Sequence, residues 1–158
     1  MKTLYIIRGV SGSGKTTYAK KLAEASHCNY WEADQFFETN GVYKFDPTQL
    51  QQAHAACLEN VATDIRDGKN VIVSNTFTRQ WEMVGTSDKM RYIDFALHHG
   101  YRVVIIECIG QYQNTHGVSE RTIAKQKARY ESFNKITSHY PDMVASGRIV
   151  FLQASENI

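Results

Sequence analysis

The chain has 158 residues, a formal net charge of +2 and 42% apolar residues, with no long polar or low-complexity tract. That length predicts one domain over residues 1–158, large enough to bury roughly 70% of the surface its unfolded chain exposes. The charge balance excludes the strongly basic signature of a dedicated nucleic-acid binder, and no segment approaches the ~20 apolar residues of a membrane span.

Cys28, Cys57 and Cys108 are odd in number, widely spaced and without a CxxC pair. They predict reduced thiols with no disulfide partner, and no zinc site. The apolar run in "MKTLYIIRG" is too short for a signal peptide. The chain therefore reads as a soluble, cytoplasmic protein with no membrane partner.

In chain order, "TLYIIRG" is β-branched and apolar and predicts a buried strand entering a glycine loop. "TTYAKKLAEAS" beyond Lys15 has helical composition, "NYWEAD" predicts a second strand, and residues 38–46 predict an exposed loop. A helix is expected after Asp46 as N-cap, with Pro47 at its first position and Gln49 at capping-box spacing. Leu50, Ala53, Cys57, Leu58, Val61 and Ile65 recur on its buried face, and Gly68 ends it. "NVIVSN" predicts a strand, and "SDKMRYIDFALHHG" a helix capped by Ser87 and stopped by Gly100. "YRVVIIECI" is the next strand, "SERTIAKQKARYESFNKI" a long helix and "RIVFLQ" the last strand. Strands alternate with helices, and consecutive strands lie too far apart for tight hairpins. The expected fold is α/β, a mainly parallel sheet with helices on both faces.

Gly9, Gly14, Lys15 and Thr16 fit the pattern G-x-x-x-x-G-K-[ST], between a predicted strand and a predicted helix. Glycines let the backbone curl so that successive N–H groups point at phosphate oxygens, and the helix N-terminus adds its positive dipole end. A glycine-rich turn that merely matches the pattern lacks this strand–loop–helix context. The candidate nucleotide-binding residues are Gly9, Val10, Ser11, Gly12, Ser13, Gly14, Lys15, Thr16 and Thr17. Lys15 reaches the β- and γ-phosphates of ATP, and the Thr16 hydroxyl ligates Mg²⁺.

"EADQFF" follows the second predicted strand and places Asp34 at its carboxyl end, where ligands of open α/β sheets gather. A carboxylate there accepts the proton of an attacking hydroxyl or holds Mg²⁺ through water. Glu32, two residues earlier on the same side, competes for the role. Without the glycine loop, either residue would read as an ordinary surface carboxylate.

"ADQFF", "GVYKFDP", "AHAAC", "VIVSNTFTRQWEM" and "NTHGV…RYE" follow the glycine loop in this order. Together, over most of residues 3–133, they resemble the polynucleotide 5′-kinase branch of the P-loop kinases, including the kinase-like ATPases of phages. The resemblance implies a P-loop NTPase fold of the nucleotide-kinase type, five parallel strands with helices on both faces and a basic lid at about residues 110–138. It implies that Asp34 is the general base toward a 5′-hydroxyl, with ATP and Mg²⁺ as cofactors. The chain departs from the family at Phe37, where phage-type kinases carry arginine, and at Asn75, where the family often has aspartate. Mg²⁺ handling then falls on Thr16, Asp34 and the phosphates.

Arg121, Lys125 and Arg129 fall at i, i+4 and i+8 of the lid helix, forming a basic stripe over the γ-phosphate or a solvated face. Arg129 is the candidate catalytic cation, and Arg79, Arg121, Lys125 and His116 are candidate substrate contacts. His116 either touches phosphate or caps its loop. Phe36, Phe37, Tyr43 and Trp81 stack an acceptor base or pack the core, and His54 reads as a packing residue.

The leading expectation is an ATP-dependent kinase of the 5′-hydroxyl of DNA or RNA. A small-metabolite or nucleotide kinase on the same scaffold is the alternative. An ATP-binding regulatory module with weak chemistry is a third reading, motivated by Asn75 and Phe37.

Overall fold

A computed structural model of the chain describes residues 1–86, 88–112 and 117–155. Its strands are β1 (Thr3–Arg8), β2 (Asn29–Trp31), β3 (Glu38–Thr39), β4 (Val42–Tyr43), β5 (Val71–Ser74), β6 (Arg102–Cys108) and β7 (Ile149–Ala154). Its α-helices are α1 (Lys15–Ser26), α2 (Leu50–Arg66), α3 (Tyr92–His98), α4 (Glu120–Arg129), α5 (Phe133–Thr137) and α6 (Pro141–Ala145).

Five strands form one sheet in the order β2-β5-β1-β6-β7, and every pairing in it is parallel. Being buried on both faces, its central strands are near-continuous apolar runs. One face packs Leu4, Ile6, Val73 and Ile105 against Cys57, Val61 and Ile65 of α2, Ile93 and Ala96 of α3, and Ile136 of α5. The other face packs Ile7, Ile72 and Ile106 against Ala19, with Leu22 and Ala23 of α1 behind it. This is the expected five-stranded P-loop architecture. It gathers the carboxyl ends of β1, β2, β5 and β6 along one edge.

Several local expectations are corrected. The segment 38–46 contains a short antiparallel hairpin, β3 with β4, so tight hairpins are present after all. Its turn uses Asn40 and Gly41, both at positive φ. Asp46 caps a 3₁₀ turn over Pro47–Gln49 rather than an α-helix, with its carboxylate accepting from Thr48 N at 3.0 Å and Thr48 Oγ1 at 2.7 Å. The expected box partner Gln49 closes the same turn through its backbone N–H, which donates to the Asp46 carbonyl oxygen at 3.0 Å. Leu50 is 41% exposed rather than buried.

The helix expected from Ser87 begins at Tyr92, because Thr86 and Lys89 first close a turn on each other. Ser87 itself lies outside the described residues. The long lid helix breaks at Tyr130, whose extended backbone (φ −68°, ψ 117°) ends α4 before α5 begins.

Among the described residues, no helix is long and apolar enough to cross a membrane. Cys28, Cys57 and Cys108 are free thiols.

Candidate nucleotide and acceptor site

β1 delivers the chain into the glycine loop, and α1 starts directly after it. Gly14 takes φ +96° at the helix N-cap, a conformation that disfavours any residue with a Cβ. At Gly9 the constraint is space, since a Cβ there would meet Ser13 Oγ and sit 2.7 Å from the Cys108 carbonyl oxygen. The loop thus lies against the end of β6. Its walls are shared between two cavities. Ser11, Gly12, Gly14, Lys15, Thr16 and Thr17 line a main cavity of about 910 Å³. Gly9, Val10 and Ser13, with Ser11 and Gly12, line a smaller one of about 500 Å³ behind the loop.

Lys15 stands in the main cavity. Burial pushes its ammonium below the ordinary lysine value, while Glu32, then Cys108 and Asp34, pull it back up. Burial also pushes the neighbouring Cys108 thiol up to about 11, so it stays protonated at neutral pH.

Further lining of the cavity comes from the turn after β2, the β3–β4 hairpin with the segment after it, and α2. β2 ends at Trp31, so Asp34 sits not on a strand end but in a 3₁₀ turn over Ala33–Phe37, with Glu32 as its extended N-cap. The two carboxylates then do different things. Glu32 Oε2 accepts from Thr16 Oγ1 at 3.3 Å, whereas Asp34 Oδ1 accepts from Tyr43 OH at 3.5 Å.

Asn75 holds this turn in place. Its Oδ1 accepts from Ala33 N at 2.9 Å, and its Nδ2 donates to Cys57 Sγ at 3.7 Å. Its amide therefore anchors the carboxylate-bearing turn to the end of β5.

Phe37 is buried, with Ala33 and Ala53, and serves as the hub of an aromatic cluster. Phe36, Tyr43 and Phe45 stand edge-on to it at centroid distances of 5.4, 6.4 and 5.1 Å. Phe37 is thus core and not a base-stacking surface. Tyr43 and Phe45 line the cavity, as do Leu50 and His54. Burial holds His54 below the ordinary histidine value. Trp81 is exposed and faces the Arg91 guanidinium, 5.2 Å from its ring.

The lid contributes a different face of α4 from the expected one. Ser119, Thr122, Gln126 and Arg129 face the main cavity. Arg121 and Lys125 are exposed and off its wall, so the expected stripe does not line the cavity as a unit. Arg129 does line it, and its Nε donates to Thr78 Oγ1 at 3.1 Å. Arg79 is exposed and off the wall too. His116 lies outside the described residues.

Gln126 and Glu82 were not legible as site residues. A glutamine inside a basic helix and a glutamate beside a tryptophan carry no pattern, and only the fold turns them inward.

These residues fit a nucleotide and a hard cation. Ser74 Oγ is buried on the cavity wall with no hydrogen-bond partner among the described residues. Thr16, Glu32 and Asp34 supply oxygen donors of the kind Mg²⁺ accepts. No cluster of three or more His, Cys, Asp or Glu that could hold a metal occurs among the described residues.

Known proteins match this picture. A family profile described as an AAA domain matches residues 4–140. An uncharacterized protein of Pasteurella multocida is 29% identical over 142 residues, covering 78% of this chain and 73% of its own. A provisionally named bifunctional polynucleotide kinase/RNA ligase of Autographa californica nuclear polyhedrosis virus is 33% identical over 86 residues, 48% of this chain. The chain spans only 12% of that viral protein. The crystal structure of a provisionally named kinase from Chloroflexus aurantiacus superposes with a TM-score of 0.57 at 18% identity, over 98% of this chain and 89% of that one. At that identity the likeness establishes the fold. The sheet order, the glycine loop and the profile match agree, and the chain belongs to the AAA domain family, with a kinase-like P-loop fold.

Proposed function

We propose that this protein is an ATP-dependent phosphotransferase that moves the γ-phosphoryl group of ATP to a hydroxyl of its acceptor. The observation that carries the reading is one cavity lined both by Lys15 and Thr16 of the glycine loop and by Asp34. The loop amides and the α1 N-terminus hold the phosphate chain, and Lys15 neutralises its outer charges. Mg²⁺, held by Thr16 with Glu32 and Asp34 at hand, supplies further charge neutralisation on the phosphates when bound.

Asp34 takes the proton of the acceptor hydroxyl as its oxygen bonds to phosphorus. The bridging P–O bond breaks in line, and ADP leaves with its electron pair. Arg129, fixed against Thr78, places its guanidinium where charge develops on the moving group.

The geometry favours a small acceptor, because Arg79, Arg121 and Lys125 all lie off the cavity wall. A polynucleotide 5′-hydroxyl is the second reading, favoured by the match to the viral polynucleotide kinase/RNA ligase. We place the whole as one cytoplasmic domain, where its free thiols stay reduced.

The test is incubation with γ-labelled ATP and a panel of nucleosides, sugars, amino alcohols and 5′-hydroxyl oligonucleotides. Lys15-dependent label on a small acceptor supports the leading reading, and label on oligonucleotides alone supports the second. ATP binding with no transfer to anything would replace both with the regulatory-module reading.

A further inference from the structure

We infer that the acceptor subsite takes a small hydroxyl compound that is uncharged or cationic and carries a flat or apolar part, and that Glu82 reads its charge. This rests on the phosphotransferase reading above. The cavity of about 910 Å³ lies in the size range of small-ligand sites, and it must hold a triphosphate as well.

The cations on its described wall are Lys15 and Arg129. Both belong to the phosphate side: Lys15 stands at the foot of α1, and Arg129 is tethered to Thr78. The same cavity is also lined by Asp34, Tyr43, Phe45, Leu50, His54 and Glu82, and apart from Lys15 and Arg129 no lysine or arginine lines it among the described residues. Its histidine is held neutral at neutral pH by burial. Of these six residues three are aromatic or aliphatic, two are carboxylates and one is a neutral imidazole.

Tyr43 and Phe45 are braced edge-on by buried Phe37, which gives a flat substrate part a rigid surface. Of the carboxylates, Glu32 is turned to Thr16 and Asp34 is assigned to the acceptor proton. Glu82 serves neither purpose. It is held in place by the Arg79 backbone N–H, which donates to its Oε2 at 3.0 Å. An anionic group on the acceptor meets like charge here, and an ammonium meets a fixed carboxylate.

The test uses two matched acceptor series with ATP as donor. One is thymidine, 3′-amino-3′-deoxythymidine, thymidine 3′-phosphate and a 5′-hydroxyl oligothymidylate. The other is glucose, glucosamine and glucose 6-phosphate. The expected kcat/KM for neutral and amino members exceeds that for phosphorylated members and the oligonucleotide by about tenfold or more.

Glu82→Gln is expected to lower the amino-over-phosphate preference by about tenfold, and Glu82→Lys to reverse it. Thermal melts check both variants for folding, and Glu82→Gln alone carries the test if the lysine variant does not fold. Preference for the oligonucleotide or the phosphorylated members overturns the acceptor assignment and leaves the phosphotransferase standing. So does a preference ratio that Glu82→Gln leaves unmoved. No transfer to any acceptor by wild-type protein that binds ATP overturns both.

Discussion

Gln126 and Ser11 are joined by two hydrogen bonds: Ser11 N donates to Gln126 Oε1 at 2.8 Å, and Gln126 Nε2 donates to Ser11 Oγ at 3.1 Å. Gln126 is 7% exposed, and the pair docks α4 on the phosphate loop. A leucine of similar size keeps the packing but strands the Ser11 N–H. Gln126→Leu should therefore weaken the docking by about 1–3 kcal/mol. Native-state hydrogen exchange reads the effect, with earlier opening of Glu120–Arg129 and little change in the central strands. Unchanged protection of α4 means that the pair does not latch the lid.

The two carboxylates after β2 should separate in kinetics. Asp34→Asn should keep ATP affinity and lower single-turnover transfer by roughly 10²–10⁴, the usual contribution of a positioned base. Glu32→Gln loses the charged partner of Thr16 and should raise the Mg²⁺ concentration needed for half-maximal rate. A wild-type transfer rate in Asp34→Asn, with Glu32→Gln inactive, assigns the base to Glu32.

Lys15 carries a prediction of opposite sign in stability and activity. Burial lowers its folded-state pKa, so the native state disfavours its charge. The resulting penalty is present at neutral pH and is relieved as pH rises toward the unfolded lysine value of 10.5. Lys15→Met should abolish transfer yet melt higher than wild type without nucleotide at pH 7, by ~2–4 °C for each kcal/mol relieved. The gap should close as pH rises through the alkaline range, and a gap that widens there reverses the assignment.

Arg8 is fully buried at the end of β1. Its Nε and Nη2 donate to the Phe77 carbonyl oxygen at 3.1 and 2.7 Å, and Nη2 also donates to that of Glu131 at 2.8 Å. Its Nη1 lies 3.7 Å from Glu107 Oε2, and its guanidinium carbon lies 4.1 Å from the Tyr130 ring centroid. Arg8→Met removes one partner from a buried charged network and should cost about 3–5 kcal/mol in chemical denaturation. A loss below about 1 kcal/mol would show that the network is not cooperative.

Arg121 and Lys125 test the acceptor from outside the cavity. The double alanine variant should change kcat/KM for a small acceptor by less than about twofold, since exposed charges off the wall contribute little. A large loss with oligonucleotide acceptors, together with a salt slope shallower by about 0.7 per lost phosphate contact, instead supports a polynucleotide track.

The glycine loop was fully legible from residues 9–16, because its chemistry is local: backbone curl, helix N-terminus, one lysine and one hydroxyl. The alternation of strands and helices and their approximate places were legible for the same reason, since apolar periodicity is a property of neighbours in sequence. The break in the lid was not. Tyr130 leaves the helix so that its ring covers buried Arg8 and its OH donates to Glu107 at 2.9 Å, contacts made across more than twenty residues. The spacing of Arg121, Lys125 and Arg129 suggested one stripe, but of the three Arg129 alone lines the cavity. Which way that stripe faces depends on the rotation of α4 about its axis, and Gln126 on Ser11 decides it. Likewise, Asn75 and Phe37 looked like lost functional groups. Their amide and ring brace residues that line the cavity instead, because what a side chain does depends on the partners that folding brings to it.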